Sequence, residues 1–422
     1  MGRRERVKRE RSVDDEGLLS TDTAASNKAR MSLAACCAVH ATQDGLNATL
    51  YVLLPILANA FGLSYAQVGV IRGLNNGAMM CLEIPSGVLA ERVGERILLV
   101  FGLIAAGLGY LALANANGFV TVAVCLTVVG MGGAFQHALS ASIVSSTFDG
   151  SAKTKALGTY NAVGDAGKLA FTGAFSLAVG IGIVWPSVVG GFGVIALVGA
   201  LALFVVLREC NAGGRPDRTH LGHVDAIAGW GIRSRRGLGA LLLIVFFDIS
   251  VQAGFLTFLA FLLIEKDIPA ALAGGAVVLT LAGGIFGKFG CGFLAARFGT
   301  LQSFGLVQCL TAAGIVAVLV APTWAAFCLL PFVGVVLQGS STITYGVVTE
   351  VFHSTRQSRG FALTYSVSSG ASLVGPIVYG AIGDRFGLDA AMLTMGVLVL
   401  LTLPVALALG PALGDRARVG RE

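Results

Sequence analysis

Charged residues are scarce in this sequence, and their scarcity excludes most classes of soluble protein. Only 12% of the 422 residues are charged and 55% are hydrophobic, whereas an ordinary soluble domain carries about 25% charged residues. Proline is also rare, with 10 residues, while glycine is abundant, with 58. This balance is typical of closely packed membrane helices rather than of collagen or a disordered chain. With a mean hydropathy of +0.81, the sequence predicts a helical membrane protein.

Several other patterns are missing as well. The eight cysteines include no CxxC pair, so neither a zinc site nor a disulfide framework is expected. The apolar runs are much longer than the alternating units of a membrane barrel. No nucleophile elbow, phosphate-binding loop or metal-ligand spacing occurs, which disfavours an enzyme and predicts no cofactor and no metal. The basic residues form no groove-tracking patch with aromatics, so no nucleic acid partner is expected.

Long apolar runs take the place of these patterns. A helix that crosses a bilayer needs about 20 apolar residues, and twelve runs of suitable length are present. They lie near residues 32–60, 66–88, 97–116, 119–147, 155–182, 185–207, 238–264, 270–295, 301–321, 324–350, 358–382 and 388–410. The predicted fold class is therefore an all-α membrane protein with twelve transmembrane helices, preceded by a disordered tail at residues 1–30.

The basic residues predict the orientation. Eight of them precede the first run, and six arginines lie in the linker at residues 208–236. If the N-terminus is cytoplasmic, the outer loops carry only Lys266 and Arg385. The positive-inside rule then places both termini, the linker and a second tail at residues 412–422 in the cytoplasm. We expect a multi-pass protein of the plasma (bacterial inner) membrane.

The chain also repeats itself. The segment Gly87-Val-Leu-Ala-Glu-Arg-Val-Gly94 recurs as Gly292-Phe-Leu-Ala-Ala-Arg-Phe-Gly299, 205 residues later. Other matches at an offset of 204 or 205 are Asp44 with Asp248, Gly130 with Gly334, Phe148 with Phe352, and Tyr160 with Tyr365. A nearly constant offset predicts two pseudo-symmetric six-helix halves, residues 31–207 and 237–411. Transporters built from such halves hold their substrate near the midplane between them.

The repeated segment resembles the loop motif of the major facilitator superfamily, which reads glycine, three residues, an acid, a base, any residue, glycine and two bases. The matching positions are Gly87, Glu91, Arg92, Gly94 and Arg96, and in the second copy Gly292, Arg297 and Gly299. Glu91 replaces the usual aspartate, Glu95 replaces a base, and Ala296 replaces the acid of the second copy. The resemblance covers residues 31–412 and implies the major facilitator fold. It also implies that Glu91 latches the cytoplasmic side shut at the N-terminus of a neighbouring helix.

Within that superfamily the sequence is most similar to exporters of the fosmidomycin-resistance type. Three stretches carry the likeness: His40 to Asp44, Leu63-Ser-Tyr-Ala-Gln-Val-Gly69, and Gly130-Met-Gly-Gly-Ala-Phe-Gln-His137. Ala138 stands where those exporters usually have proline. Ala170 and Phe171 stand where many drug antiporters carry a Gly-Pro pair, which counts against antiport. The likeness implies export of a drug-like compound.

Polar side chains recur at helical spacing in several spans, which places them on one face of each helix. Since an ionisable group at the bilayer centre costs at least a few kcal/mol, each such group needs a partner, a wet cavity or a function. Several helices with one polar face each predict a water-accessible central cavity. The side chains expected to bind substrate there are Gln43, Asn47, Tyr51, Arg72, Asn76, Gln136, His137, Asn161, Lys168, Gln252, Gln338, Thr342, Tyr345 and Tyr365.

Asp44 is the first candidate for a proton-coupling site, because burial disfavours the charged form of a carboxylate and a nearby cation favours it. His40 lies one turn away and could pass protons. Asp165 and Asp248 are further candidates, Asp248 being the counterpart of Asp44 in the second half. The alternative for Asp44 is a structural helix contact. Asp165 and Lys168 either neutralise each other or form a switch in which an anionic substrate competes with Asp165 for Lys168.

The basic residues within the spans bear on the substrate. Arg72 together with Lys168 suggests an anionic or zwitterionic compound, and a salt bridge from Arg72 to Asp44 or Asp165 is the alternative. His137 either lines the cavity or is a packed interior histidine. Lys288 and Glu350 are expected to snorkel to the cytoplasmic side or to close a gate between the halves.

The function predicted from these observations is proton-coupled export of a small anionic or zwitterionic organic compound or drug by alternating access. The alternative is a proton-coupled or exchange importer of an organic anion. A more remote alternative is a sensor or lipid scramblase on the same fold. The expected partners are a small-molecule substrate and the lipid bilayer, and we expect the monomer to be functional.

Overall fold

The computed structural model of the protein describes residues 2–215, 230–353 and 357–410, which are almost entirely helical. The helices are α1 (Gly2–Phe61), α2 (Tyr65–Val93), α3 (Glu95–Leu113), α4 (Phe119–Gly133), α5 (His137–Thr147), α6 (Gly150–Gly180), α7 (Trp185–Glu209), α8 (Arg235–Glu265), α9 (Ala270–Phe298), α10 (Thr300–Val320), α11 (Thr323–Val351), α12 (Gln357–Phe386) and α13 (Leu388–Leu407). Because α4 and α5 are two parts of one span, these helices make twelve spans, as predicted.

Length and composition alone qualify nine of these spans, within the described residues, to cross a membrane. The other three are α1, α2 and α6, whose middle sections carry polar side chains at helical spacing. Helix α1 begins at Gly2 and so includes most of the stretch for which the sequence predicts a disordered tail. Residues 2–30 contain no proline, the residue that disrupts a helix most strongly. Of the predicted linker, residues 216–229 lie outside the described residues, as does the whole of the 412–422 tail.

The two halves, α1–α7 and α8–α13, show the predicted duplication in their packing. Gly130 lies so close to α2 that a Cβ would be 2.1 Å from the Asn75 carbonyl oxygen. Its counterpart Gly334 lies equally close to α9, with 2.0 Å from the corresponding Cβ position to the Thr280 carbonyl oxygen. Only glycine allows backbones to approach this closely. The same helix crossing is therefore built twice, by residues at the same offset in each half.

The halves touch at one end of the molecule and separate at the other. We call the end with the α1–α2, α8–α9 and α12–α13 connections the distal face, and the end with the α2–α3 and α9–α10 connections the proximal face. Toward the distal face, a Cβ on Gly69 would lie 2.2 Å from the Pro376 carbonyl oxygen. Toward the proximal face, a Cβ on Gly87 would meet nothing within 4 Å.

The apolar cores follow the same division. One core joins the halves and includes Leu54 of α1 together with Phe255 and Phe258 of α8. A second, smaller core around Leu241, Val347 and Phe352 contains only residues of the C-terminal half and occupies its proximal end. The described residues therefore place a closed contact at the distal face, with the two halves apart at the proximal face.

The glycine crossings give a testable expectation for stability. A Cβ on Gly283 of α9 would lie 1.9 Å from the Pro331 carbonyl oxygen of α11, whereas one on Gly290 of the same helix would meet nothing within 4 Å. We expect Gly283→Ala to lower the free energy of unfolding by about 1–3 kcal/mol, the range for an overpacked contact. Gly290→Ala is the matched control and should leave the thermal midpoint in detergent within error. Equal midpoints for both variants would contradict the close crossing.

Candidate functional site: a chain of charges between the two halves

Four charged side chains form a continuous chain inside the bundle. The Lys168 ammonium lies 3.1 Å from Asp44 Oδ2 and 3.0 Å from Asp165 Oδ1. Lys288 Nζ in turn lies 2.7 Å from Asp165 Oδ2. Two carboxylates and two ammonium groups balance, so the chain carries no net charge when all four are ionised. Such pairing is what makes charge tolerable inside a membrane.

Close packing of α1 on α6 brings the first members of this chain together. A Cβ on Gly167 would lie 2.3 Å from the Ala41 carbonyl oxygen, and one on Gly164 would lie 2.5 Å from the His40 ring. The two glycines of α6 thus let the helices touch at the level of Asp44. Asp165 and Lys168 follow on the same helix at i, i+3 spacing, which places both side chains on one face.

Two imidazole rings complete the surroundings of Asp44. His40 Nε2 lies 3.3 Å from Asp44 Oδ2, and His137 Nε2 lies 3.4 Å from Oδ1. His40 Nδ1 lies 3.0 Å from the Tyr160 carbonyl oxygen, and a carbonyl only accepts, so Nδ1 carries a proton. The Nε2 atom therefore either carries a second proton or presents its lone pair to the carboxylate. A proton shared between ring and carboxylate makes this contact favourable.

The break in the fourth span positions His137. Helix α4 ends at Gly133 and α5 begins at His137, and the Gln136 side chain between them donates to the Tyr160 hydroxyl at 2.8 Å. The His137 side chain is 45% exposed, so it lines an accessible space and is not a packed interior histidine. It connects that space with the buried Asp44 carboxylate.

The ion pair between Asp165 and Lys288 joins the N-terminal half to the C-terminal half. The Lys288 ammonium donates to both Asp165 oxygens, at 2.8 and 2.7 Å, and its side chain is 36% exposed. Of the two roles that the sequence left open for Lys288, the contact between the halves is the one observed. Sequence reasoning did not include this lysine among the binding residues, because hydropathy gives no measure of how far α9 carries it toward α6.

Arg72 lies apart from the chain. Its guanidinium donates to the Asn47 side-chain oxygen at 2.8 Å and lies 4.5 Å above the centre of the Tyr51 ring. Among the described residues no carboxylate lies within 4 Å of it, so the alternative of a salt bridge to Asp44 or Asp165 is not observed. The side chain is buried and its Nε has no hydrogen-bond partner. Neutral groups alone therefore stabilise this charge.

The C-terminal half contains a buried carboxylate of its own. Asp248 Oδ1 accepts from Gln308 Nε2 and Oδ2 contacts Ser340 Oγ, both at 2.8 Å. Ser340 Oγ also lies 3.1 Å from the Leu337 carbonyl oxygen. The Ser340 hydroxyl donates to the carboxylate and can share its proton with that carbonyl in a three-centre bond, so both Asp248 oxygens have a hydrogen-bond donor. No basic side chain of the described residues forms an ion pair with Asp248.

The remaining predicted binding residues lie in three settings. Gln43 and Gln136 are buried, and each has a side-chain oxygen without a partner; both line a pocket of about 20 Å³ beside Asp44 and His137. Asn76 and Gln252 donate to the carbonyls of Ser372 and Leu337. The last group comprises exposed Asn161, buried Gln338, half-buried Thr342 and Tyr345, and exposed Tyr365.

The predicted gating residues lie at the proximal face. Gly94 ends α2 and Gly299 ends α9, with φ of 89° and 88°, conformations that favour glycine. Gly87, Glu91, Arg92, Gly292 and Arg297 occupy the last turns of those helices, and Arg96 donates to the Leu207 carbonyl. Glu91 is exposed. The two copies of the motif thus form equivalent turns.

One group in the site has the composition of a metal centre. His40, Asp44 and His137 offer ligand atoms within 4.8 Å of one another. The Lys168 ammonium already contacts the Asp44 carboxylate, and its charge would repel a divalent cation. The arrangement therefore suits an ion pair better than a metal, and the absence of a metal cofactor stays a prediction.

A twelve-span bundle with paired halves and a charged centre is an architecture typical of membrane transporters. Comparison with known proteins gives the family. The family model for the Major Facilitator Superfamily matches residues 36–307 and again residues 238–419. The chain belongs to the Major Facilitator Superfamily, and it is a membrane transporter rather than an enzyme.

Individual relatives are distant. The chain is similar to the uncharacterized MFS-type transporter YfnC of Bacillus subtilis (strain 168), with 25% identity over 373 residues, 86% of this chain and 88% of that protein. It is also similar to the uncharacterized MFS-type transporter Rv0849 of Mycobacterium tuberculosis (strain ATCC 25618 / H37Rv), with 26% identity over 186 residues, 42% of this chain and 43% of that one.

Among solved structures, the fold is similar to a bacterial homolog of the human lysosomal transporter Spinster. The inward-facing, unoccupied form matches with a TM-score of 0.80 and 16% identity over 92% of this chain and 98% of that chain. The inward-facing, occupied form matches with a TM-score of 0.77 and 17% identity, covering 90% and 96% of the two chains. At this identity the likeness concerns the fold alone.

The chain of charges predicts that Lys168 contributes to the stability of the fold. Lys168→Met would leave Asp44 without its ammonium partner and Asp165 with only Lys288. We expect the free energy of unfolding to fall by about 2 kcal/mol, which is less than the roughly 3–5 kcal/mol for breaking a fully buried pair because the lysine is partly exposed. Adding Asp44→Asn should recover part of the loss. The control is Lys155→Met, an exposed lysine on the same helix.

The stability of the single variant Lys168→Met, the double variant with Asp44→Asn and the control Lys155→Met is measured by their thermal midpoints in detergent. A chain that contributes nothing to folding would give Lys168→Met and Lys155→Met the same midpoint.

Proposed function

We propose that the protein is a proton-coupled secondary transporter that carries a small organic anion by alternating access. The observation that supports this most directly is the balanced chain from Asp44 through Lys168 and Asp165 to Lys288. It lies inside the bundle, it crosses from one half to the other, and it contains both the basic groups that an anion needs and the carboxylates that a proton needs.

The anion would bind where Asp165 now lies, between the two ammonium groups. Lys168 and Lys288 hold Asp165 oxygens at 3.0 and 2.7 Å, and a substrate carboxylate or phosphonate presents the same kind of oxygen atoms. Both lysine side chains are about one third exposed, so a solute in the space between the halves reaches them. An anion there competes with Asp165 for Lys168.

The proton would bind at Asp44. Its carboxylate contacts Lys168 and two imidazoles, and the exposed His137 gives a route from the aqueous space. When Asp44 is protonated, Lys168 loses a negative partner and its charge becomes available to the substrate. Asp44 and the anion site are therefore linked through one ammonium group.

Charge balance then supports co-binding of proton and anion. The chain is neutral when empty, so adding an anion alone leaves a surplus negative charge in a low-dielectric site, and adding one proton removes it. A proton and an anion that each favour binding of the other would cross the membrane in the same direction. This supports uptake with an inward proton gradient, the alternative that the sequence left open, over the export that the sequence resemblance implies.

Asp248 supports a second proton site in the C-terminal half. It is buried without an ion-pair partner among the described residues, which makes its charge costly inside the bundle, and it lies in the first helix of its half, as Asp44 does. We propose that it carries a proton without direct contact with the substrate. With the termini and the proximal face on the cytoplasmic side, as the basic residues predict, the present conformation would be open to the cytoplasm.

The sign of a pH change tests the coupling. Protein in liposomes loaded with a pH-sensitive dye, with the membrane potential clamped, would receive fosmidomycin or one of a panel of small carboxylates from outside. Co-transport should acidify the lumen, because each anion that moves inward brings a proton. Protein-free liposomes correct for passive permeation of the free acids.

Alkalinisation of the lumen would instead indicate exchange of the anion for a proton, and it would support the export hypothesis. No protein-dependent signal with any of these anions, from protein shown to be folded, would count against anion transport.

Asp44→Asn isolates the proton step. The amide keeps the shape of the protonated acid but cannot ionise, so we expect exchange of labelled for unlabelled anion to persist while lumen acidification falls at least tenfold. Lys168→Gln should reduce both, and Lys155→Gln on the same helix should change neither. An Asp44→Asn variant that still acidifies the lumen at the normal rate would remove Asp44 from the coupling role.

A further inference from the structure

The connection between α12 and α13 repeats the loop motif for a third time. Residues 380–387 read Gly-Ala-Ile-Gly-Asp-Arg-Phe-Gly, which matches Gly-Val-Leu-Ala-Glu-Arg-Val-Gly at 87–94 in both outer glycines, in the acid and in the base. Asp384 takes the position of Glu91. Whereas the second copy has Ala296 at this position, the third copy keeps the acid.

The backbone confirms that the three segments form the same turn. Gly94, Gly299 and Gly387 have φ of 89°, 88° and 86° and ψ of 150°, 153° and 161°. In each case the glycine N–H donates to the carbonyl four residues earlier, at 2.9, 3.0 and 2.9 Å. The third turn differs from the other two only in place, because it lies at the distal face.

At the distal face Asp384 bonds to the N-terminus of α2, which belongs to the other half. Its Oδ1 accepts from the Tyr65 N–H at 2.7 Å and its Oδ2 from the Ala66 N–H at 3.0 Å. The first amides of a helix have no partner within the helix, and their partial positive charge stabilises a carboxylate. These two bonds therefore join the halves at the distal face, and opening of this face would break them.

Tyr65 adds two further contacts across the same boundary. Its hydroxyl donates to the Glu265 carboxylate at the end of α8. Its ring packs edge-on against Phe258 and Phe261, with centroids 6.3 and 5.6 Å apart. The approach of α12 is close enough that a Cβ on Gly380 would lie 2.3 Å from the Tyr65 carbonyl oxygen.

Helices α2 and α12 are antiparallel, so each presents its N-terminus to the end of the other. We infer that Asp384 is the latch that holds the distal face closed, and that it is the counterpart of Glu91 on the opposite face. Asp384 near the end of α12 caps α2, and Glu91 near the end of α2 would cap α12 when the proximal face closes. In the present structure Asp384 is engaged and Glu91 is exposed. The inference rests on the proposed alternating access.

Distances between spin labels test the latch without substrate or a proton gradient. In a full-length protein whose native cysteines are replaced, Asn117→Cys with Thr323→Cys reports the distal face and Lys155→Cys with Ala296→Cys reports the proximal face. All four positions are exposed or partly exposed and the pairs span the two halves. The sample is the protein in liposomes, measured by pulsed electron paramagnetic resonance.

We expect Asp384→Asn to raise the ratio of distal-open to distal-closed molecules about fivefold, because the amide loses the negative charge and one of the two accepting oxygens. Asp384→Glu keeps the charge and should restore most of the closed population. Tyr65→Phe removes the bond to Glu265 but keeps the capped amide, so its shift should be smaller. Glu91→Gln should leave the closed distal face unchanged. The matched control is Asp389→Asn, which removes an exposed acid five residues away on the same face.

Unchanged distal distances in folded Asp384→Asn, alone and combined with Tyr65→Phe, would overturn the latch. An equal shift with Asp389→Asn would also overturn it, because it would indicate a general charge effect. A shifted distance in a protein that moves none of the tested anions would leave the latch standing and count only against the proposed substrate and coupling.

Discussion

The contact on which the site depends is the carboxylate of Asp165 between two ammonium groups, one from each half. Inside a membrane protein an unpaired charge is far more costly than a paired one, so moving Lys288 away from Asp165 has a cost that another anion bound to the lysine would reduce. Under the proposed function, a movement of the halves that separates these groups depends on the occupancy of the site. The pairing that makes the charges tolerable would then also control when the halves move.

Glycine provides the geometry that this pairing requires. Gly164 and Gly167 let α1 lie against α6, which brings Asp44 within reach of Lys168. Gly130 and Gly334 do the equivalent work at the crossing of the second and fourth spans in each half. Because these crossings are backbone against backbone, they leave little room for adjustment within a half. We therefore expect each half to move as a rigid body, with the motion concentrated at the boundary where Asp165, Tyr65 and Asp384 lie.

The sequence predicted some of this site and could not have predicted the rest. Twelve spans and the duplication follow from apolar runs and a constant offset, which are local or one-dimensional properties. That Asp44, Asp165 and Lys168 share wet helix faces follows from periodicity. Their meeting depends on how closely α1 packs on α6, a property that spacing does not encode. Arg72 was assigned to substrate or to a carboxylate, but its partners Asn47 and Tyr51 are neutral, and complementarity of charge gives no guide to them.

Lys288 and Asp384 show two different reasons for a missed residue. The position of the Lys288 ammonium is not determined by the sequence, because a long side chain near a helix end can reach either the membrane–water interface or the interior of the bundle. Asp384, in contrast, was readable: its glycine, acid and base match the motif found twice elsewhere, but comparing two halves at one offset passes over a copy on the opposite face. The third copy reads in the same direction as the other two, so comparison at all offsets, and not only at 204 or 205, identifies it.

The identical turns at Gly94, Gly299 and Gly387 bear on the history of the chain as well as on its motion. Two of them face one side of the membrane and the third faces the other, which is the pattern expected if each half arose from a three-helix unit joined to an inverted copy of itself. An ancestral unit of this kind would have inserted in both directions. The two faces of the modern protein are then variations of one structural unit, and each carries the same glycine turn at the end of a helix that lies at the boundary between the halves.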